Sequence, residues 1–228
     1  MKIGFISDVH GNIKSLVDCL DYLVSIDVND IYFLGDAVGY FPHGKEVLEL
    51  LEKRNVVCIK GNHDSMLLGD IKYSNSQDKV YGLASTLESL SIDHLNFIKG
   101  WEVSKKIQVG NKAVLLTHGS PFNFLEGYIY PNSNFDSFLG LKEDIFVMGH
   151  THRPFIKRIG DKMIVNVGSV GLPRDNGRMM SFGVFDVDKM KFSILRREMR
   201  IAELCNLKIH SSVLEVFNRN ETFFGTII

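Results

Sequence analysis

The chain has 228 residues, 45% of them hydrophobic and 23% charged, which supplies a substantial core and excludes disorder and low-complexity filaments. Lys and Arg total 26 against 27 Asp and Glu, a net charge of −1, so no general basic excess points to long nucleic acid. No apolar run approaches the roughly 18 residues of a membrane-spanning helix, and Cys19, Cys58 and Cys205 form no C-x-x-C pair, which argues against a disulfide frame.

In chain order, Lys2–Ser7 is a short apolar run of the kind that makes a buried strand. It stops at Asp8-Val9-His10-Gly11-Asn12. Asn12 is a good N-cap for a helix over residues 13–26, with Leu16, Val17, Leu20, Leu23 and Val24 on one face. Ile31–Leu34 is a second strand, ended by Gly35-Asp36, and a short helix is expected over residues 44–54. Val56–Lys60 is a third strand, ended by Gly61-Asn62-His63-Asp64, and helices are expected over 77–90 and 93–98. The second half changes style. Residues 105–109 and 112–116 read as a hairpin, as do 155–159 with 162–167 and 182–187 with 190–195. Ala113–Thr117 runs into His118-Gly119, and Ile145–Met148 into Gly149-His150-Thr151-His152. Residues 201–217 look like a closing helix. Strand–helix alternation implies a parallel sheet and hairpins demand antiparallel pairing. The expected fold class is α/β, with two mixed sheets and helices outside, in one domain over 1–228.

Polar residues gather where the strands stop. Ligands of parallel α/β sheets bind beyond the carboxyl ends of the strands, so five strand ends converge on one place. Of eight histidines, five lie in these segments: His10, His63, His118, His150 and His152. Singly, Asp8 or Asp36 is also a good helix cap and Asn62 closes an Asx-turn. As an ordered set with no thiolate they point to a metal centre of Asp, His and Asn ligands, suited to Mn, Fe, Zn, Co or Ni and too rich in nitrogen for calcium. Seven ligands, Asp8, His10, Asp36, Asn62, His118, His150 and His152, exceed one coordination shell, so two ions are expected with Asp36 between them. Two divalent ions against Asp8 and Asp36 leave about two positive charges, which attracts phosphate. Such a pair, roughly 3.5–4 Å apart, ionises a water and clamps an in-line displacement. Hydrolysis of a phosphate ester is the reaction class that follows.

The blocks Asp8-x-His10, Gly35-Asp36, Gly61-Asn62-His63-Asp64, His118 and Gly149-His150-x-His152 resemble, in order, those of the calcineurin-like metallophosphoesterase family. Residues 165–186 resemble the tail of its small bacterial phosphodiesterase branch, with Asn166-Val167-Gly168-Ser169 where that branch shows Asn-Pro-Gly-Ser. The resemblance implies a four-layer α/β/β/α sandwich. It implies Asp8, His10, Asp36 and His152 on one divalent metal, and Asp36, Asn62, His118 and His150 on a second, manganese being the first choice. It assigns His63 to catalysis, bonding the phosphoryl oxygen or protonating the leaving group, while hydroxide bridging the metals attacks directly. Protein Ser/Thr phosphatases of the family carry an acidic residue and then an arginine where this chain has Gly39 and Tyr40, so a phosphoprotein substrate is disfavoured and His63 lacks that acidic partner; Asp64 is the candidate to orient it.

The expected activity is phosphodiesterase action on a small phosphorylated molecule. The alternatives are a phosphomonoesterase or nucleotide pyrophosphohydrolase at the same site, or a protein-binding scaffold, which calls for missing ligands where none is missing. Arg174-Asp175 is either a substrate loop or a surface turn. Phe122, Phe124, Tyr128, Tyr130 and Phe135 are expected mainly in core or interface packing, with base stacking as the alternative. His43, His94 and His210 fall outside the motifs. Met1–Asp8 reaches a carboxylate too soon for a signal peptide, so a cytoplasmic protein with no membrane partner is expected; oligomeric state is not encoded legibly.

Overall fold

The computed structural model describes residues 1–28 and 30–221. Its strands are β1 (Lys2–Ile6), β2 (Asp30–Phe33), β3 (Val57–Cys58), β4 (Ser104–Val109), β5 (Lys112–Thr117), β6 (Ile145–Met148), β7 (Phe155–Ile159), β8 (Lys162–Asn166), β9 (Met179–Asp186) and β10 (Lys191–Glu198). Its helices are α1 (Ile13–Ser25), α2 (Gly44–Lys53), α3 (Asn62–Leu67), α4 (Asn75–Tyr81), α5 (Leu83–Ser89), α6 (Ile92–Lys99), α7 (Ile201–Leu204) and α8 (Ser211–Glu215). The strands form two five-stranded mixed sheets, ordered β10-β9-β1-β2-β3 and β4-β5-β6-β8-β7. β1, β2 and β3 run parallel, as do β5, β6 and β8, while the three expected hairpins supply antiparallel edges.

Strand alternation fixes the layers. Ile3 and Phe5 of β1 face the second sheet and meet Val114, Leu116, Ile145, Val147, Met163 and Val165. Ile6 faces the other way, onto α1 and α2. Asn12 caps α1 by accepting the Ser15 N–H at 3.2 Å, and Leu16, Cys19, Leu20 and Leu23 form its buried stripe. Val24, placed on that face from the sequence, is half-exposed. On the outside of the second sheet, Leu115, Phe146, Met148 and Ile164 are covered by Phe135 and Phe138 at a 3₁₀ turn over Asp136–Gly140. The fold is thus the α/β sandwich of two mixed sheets with helical layers outside, its fourth layer reduced to that turn.

Four local expectations are revised. The third strand pairs only through Val57–Cys58, with Ile59 making an isolated bridge to Glu102. A six-residue helix begins at Asn62, where a loop was expected. The helix over 77–90 is broken by Gly82, whose left-handed conformation (φ 64°) ends α4 and starts α5. The closing helix over 201–217 is two short helices. Asn206 turns its side chain back to the Ala202 carbonyl, and His210 accepts the Ser212 N–H to start α8 afresh. Cys205 is exposed and Cys19 buried, and all three cysteines are free thiols.

Candidate metal centre

Both sheets send the carboxyl ends of their parallel strands to one place. β1 delivers Asp8 and His10, β2 delivers Asp36, and β3 delivers Asn62 and His63 through α3. β5 delivers His118 and β6 delivers His150 and His152. All seven expected ligands, and His63, are buried. Asp8, His10, Asp36, His150 and His152 have φ between 52° and 65°. Left-handed backbone is uncommon for residues with a Cβ and is retained where surroundings over-determine it. Here it turns successive side chains inward at the strand ends. At Gly149 a Cβ would stand 2.0 Å from Ser7 Oγ and 2.5 Å from Asp8 Oδ2, so only glycine lets the β6 loop lie against β1.

The side chains form two groups that share Asp36. In the first, His152 Nε2 is 3.2 Å from Asp8 Oδ1 and 3.1 Å from His10 Nε2. In the second, His118 Nε2 is 3.0 Å from Asn62 Oδ1 and 3.2 Å from His150 Nδ1. Asp36 Oδ2 lies 3.6 Å from His10 Nε2 and 3.3 Å from His118 Nε2. Two ligands about 2.1 Å from a common ion, at tetrahedral to octahedral angles, stand roughly 3.0–3.4 Å apart. The spacings to His152 and His118 fall in that range, and those from His10 Nε2 to Asp36 Oδ2 (3.6 Å) and Asp8 Oδ1 (3.8 Å) are longer. Asp8, His10 and His152, and Asp36, His118 and His150, are candidate metal-holding clusters.

Hydrogen bonds on the far side of each ring select the atom that faces inward. Nδ1 of His10, His118 and His152 donates to the carbonyls of Val38 (3.1 Å), Leu34 (2.8 Å) and Leu172 (2.5 Å). A carbonyl can only accept, so Nδ1 carries the proton of the neutral ring and Nε2 is the nitrogen turned to the centre. Asp8 Oδ2 accepts the His150 N–H at 3.0 Å and Asp36 Oδ1 the His63 N–H at 2.8 Å. Asp8 Oδ1 and His150 Nε2 are buried without a protein hydrogen-bond partner. An orphaned buried acceptor such as Asp8 Oδ1 is costly, and a cation beside it and His152 would answer it; the donor set therefore fits divalent metal.

Charge follows the same pattern. Burial works to raise Asp8 and Asp36, yet both are held below the usual carboxylate range, Asp8 by His152 and Asp36 by His118 and His63. Burial pushes His150 down to about 3 and His63 to about 4, and keeps His10 well below its ordinary value. His118 moves up to about 9; burial opposes this, but the Asp36 carboxylate beside it prevails. The centre is two ionised carboxylates among imidazoles, one of which retains a proton that a cation would displace.

Some residues that build the centre were not legible as such. The Asp64 carboxylate, the candidate to orient His63, makes no hydrogen bond to its ring. It accepts the N–H groups of Asp36 (2.8 Å), Ala37 (2.9 Å) and Gly61 (2.9 Å), tying the β2 loop to the start of α3. Burial and the Asp36 charge push its pKa up to about 7 against those bonds. Asn166, at the carboxyl end of β8, donates to the Gly149 carbonyl and to Thr151 Oγ1 and accepts the Gly168 N–H. Ser169 Oγ donates to the Asp8 carbonyl at 2.7 Å. The segment noted only as a family-like tail is a brace beneath two ligand loops.

His63 sits in an aromatic cage, its ring centroid 5.0 Å from Tyr40, 4.5 Å from Tyr81 and 4.8 Å from His10. A Cβ at Gly39 would lie 2.6 Å from His63 Nδ1, so the glycine backbone lies against that nitrogen, which is buried without a hydrogen-bond partner. A ring nitrogen of His63 also lies within 4.8 Å of ligand atoms of His10 and Asp36, so distance alone does not separate it from the ligands. Arg174 belongs to the site: its N–H bonds the His152 carbonyl at 3.1 Å and its guanidinium donates to the Tyr40 hydroxyl at 3.1 Å. Asp175 instead makes a buried ion pair with Arg196. Phe135 is core, Phe122 and Phe124 are exposed, and Tyr128 packs on His150. His43, His94 and His210 pair with Glu46, Ser91 and Ser212 at helix starts, away from the centre.

The calcineurin-like phosphoesterase superfamily domain model matches residues 1–190. An uncharacterized protein of Methanocaldococcus jannaschii is 28% identical, over 86% of this chain and 87% of its own. The phosphodiesterase YfcE of Escherichia coli is 25% identical, over 90% of this chain and 97% of its own. The crystal structure of a metallophosphoesterase from Sphaerobacter thermophilus superimposes with a TM-score of 0.77 at 27% identity, covering 96% of this chain and 99% of that one.

Proposed function

The chain belongs to the calcineurin-like phosphoesterase superfamily, and on that premise we propose that it hydrolyses a small-molecule phosphodiester with two divalent metal ions. The observation that carries this reading is Asp36 Oδ2, set 3.6 Å from one imidazole group and 3.3 Å from the other. Asp8, His10, Asp36 and His152 would hold one ion, and Asp36, Asn62, His118 and His150 the second. When bound, such a pair supplies Lewis acidity that ionises a water between the ions and neutralises charge on the phosphoryl oxygens.

The protein's own groups do the rest. Asp8 and Asp36, both ionised, set the net charge of the centre. His63, held by Tyr40 and Tyr81, presents a ring nitrogen to the phosphoryl or leaving-group oxygen. Arg174 supplies the guanidinium that the family's protein phosphatases carry at the position of Tyr40; it reaches the same place from the other side, through the Tyr40 hydroxyl. Buried donors aimed at developing charge are worth far more than the same groups in water.

The test compares bis(4-nitrophenyl) phosphate with 4-nitrophenyl phosphate, using manganese-reconstituted protein and Asp36→Asn as the blank. Cleavage of the diester well above the monoester, abolished by chelator and restored by manganese, is the expected result. The reverse preference moves the substrate to a phosphomonoester. Turnover that survives complete metal removal, or none by metal-loaded protein, overturns the reading.

A further inference from the structure

The segment between β5 and β6 carries more aromatic residues than its core uses. Phe135 and Phe138 are buried under the second sheet, but Tyr128 and Tyr130 are 53% and 38% exposed. The two tyrosine rings lie nearly parallel, 11° apart with centroids 5.9 Å apart. Tyr128 packs on the candidate ligand His150, their ring centroids 4.2 Å apart. Beyond it, a cavity of about 540 Å³ is lined by Tyr130, Pro131, Asn132 and Arg153. Arg153 follows the candidate ligand His152 and is paired to Glu221. The two offset, stacked rings form a stepped shelf that joins His150 to a cavity of a size usual for small ligands.

We propose that Tyr128 and Tyr130 form a base-binding subsite, and that the substrate is a nucleoside phosphodiester or phosphoanhydride whose purine or pyrimidine stacks on this shelf. The proposal rests on the phosphodiesterase reading above. Parallel exposed rings match the face of a heterocycle, and stacking of this kind tolerates any base. Asn132 and Arg153 give the cavity wall polar edges, which suit a base and not an acyl chain. The reaction is unchanged: an oxygen from water bonds to phosphorus, the ester or anhydride P–O bond breaks, and the departing oxygen takes the proton.

The experiment uses two diesters with the same leaving group, thymidine 5′-(4-nitrophenyl) phosphate and methyl 4-nitrophenyl phosphate, and manganese-loaded protein. The nucleoside ester should show the higher kcat/KM, roughly tenfold or more from one stacked base. Tyr128→Ala should bring the ratio close to one, while Tyr128→Phe, which keeps a flat face, should preserve it. Disturbance of His150 in either variant scales both esters alike, so the ratio reads the shelf alone. Calorimetry gives a readout without turnover: adenosine 5′-monophosphate should bind roughly tenfold tighter than ribose 5-phosphate, and Tyr128→Ala should remove the difference. Equal kcat/KM for the two esters in the unaltered protein, or a preference that survives Tyr128→Ala, overturns the subsite. Hydrolysis of neither ester by metal-loaded protein overturns the phosphodiesterase reading, and the subsite with it.

Discussion

His63 and Arg174 reach the centre from opposite sides and meet across Tyr40. The Tyr40 ring flanks His63 at 5.0 Å, and its hydroxyl accepts from Arg174 at 3.1 Å. Neither is in the ligand set proposed here, so their replacement should separate chemistry from metal binding. His63→Ala should lower kcat by roughly 10²–10⁴-fold, the usual contribution of a positioned proton donor or acceptor, with metal content unchanged by elemental analysis. If the metals leave together with the imidazole, His63 is a ligand or a support for one. Arg174→Ala should lower kcat/KM by about 10²–10³-fold, the loss typical of one buried donor to a developing oxyanion, again with metals in place; steady-state kinetics on the diester reads both.

At the scale of elements, the ligand loops are held by braces from other segments as well as by their own turns. Asn166 ties the Gly149–His152 loop to its own segment, with its amide on the Gly149 carbonyl and Thr151 and its oxygen on the Gly168 N–H. Asn166→Ala strips these buried partners at once. It should cost about 2–3 kcal/mol of stability and weaken metal affinity by about 10–100-fold, as lost outer partners of ligands do; urea denaturation and metal titration measure the two effects. The candidate ligands stood out because each lies just beyond a short apolar run, with a glycine adjacent at Asp36, Asn62, His118 and His150, a pattern visible in one dimension. Asn166, Asp64 and Arg174 were not, because their roles depend on partners from other strands: Asp64 is 28 residues from Asp36, and Arg174 is 134 from Tyr40. The strands and hairpins were readable from their alternation and turn residues. The 77–90 and 201–217 helices were drawn too long because apolar periodicity outweighed Gly82 and Asn206, whose local geometry wins in the fold. At Gly82 the break has a consequence for the site, since the Tyr81 carbonyl then accepts the Tyr40 N–H and its ring packs on His63.

Across the whole molecule, two sheets meet through an apolar layer of Ile3, Phe5, Val114, Leu116, Val147 and Val165, which gives way at the strand ends to carboxylates and imidazoles. Asp8 and Asp36 come from the first sheet, His118, His150 and His152 from the second. Ions held by this set would tie the sheets together where apolar packing stops. Anything that binds only the folded state stabilises it by mass action, about 2.7 kcal/mol at a hundredfold excess over Kd. For a chain of this length that is a rise of roughly 5–10 °C in Tm. Chelated protein should therefore melt lower, manganese should restore the difference, and Asp36→Asn should erase most of it. Phe138→Ala provides the contrast. Phe138 is fully buried on the outer face of the second sheet, so its truncation should cost about 3–5 kcal/mol while the increment from manganese stays intact. Thermal denaturation of the three proteins with and without manganese decides the point. An increment that survives Asp36→Asn would show that Asp36 is not needed to hold the stabilising ions, and would leave them to Asp8, His10 and His152, which also join the two sheets.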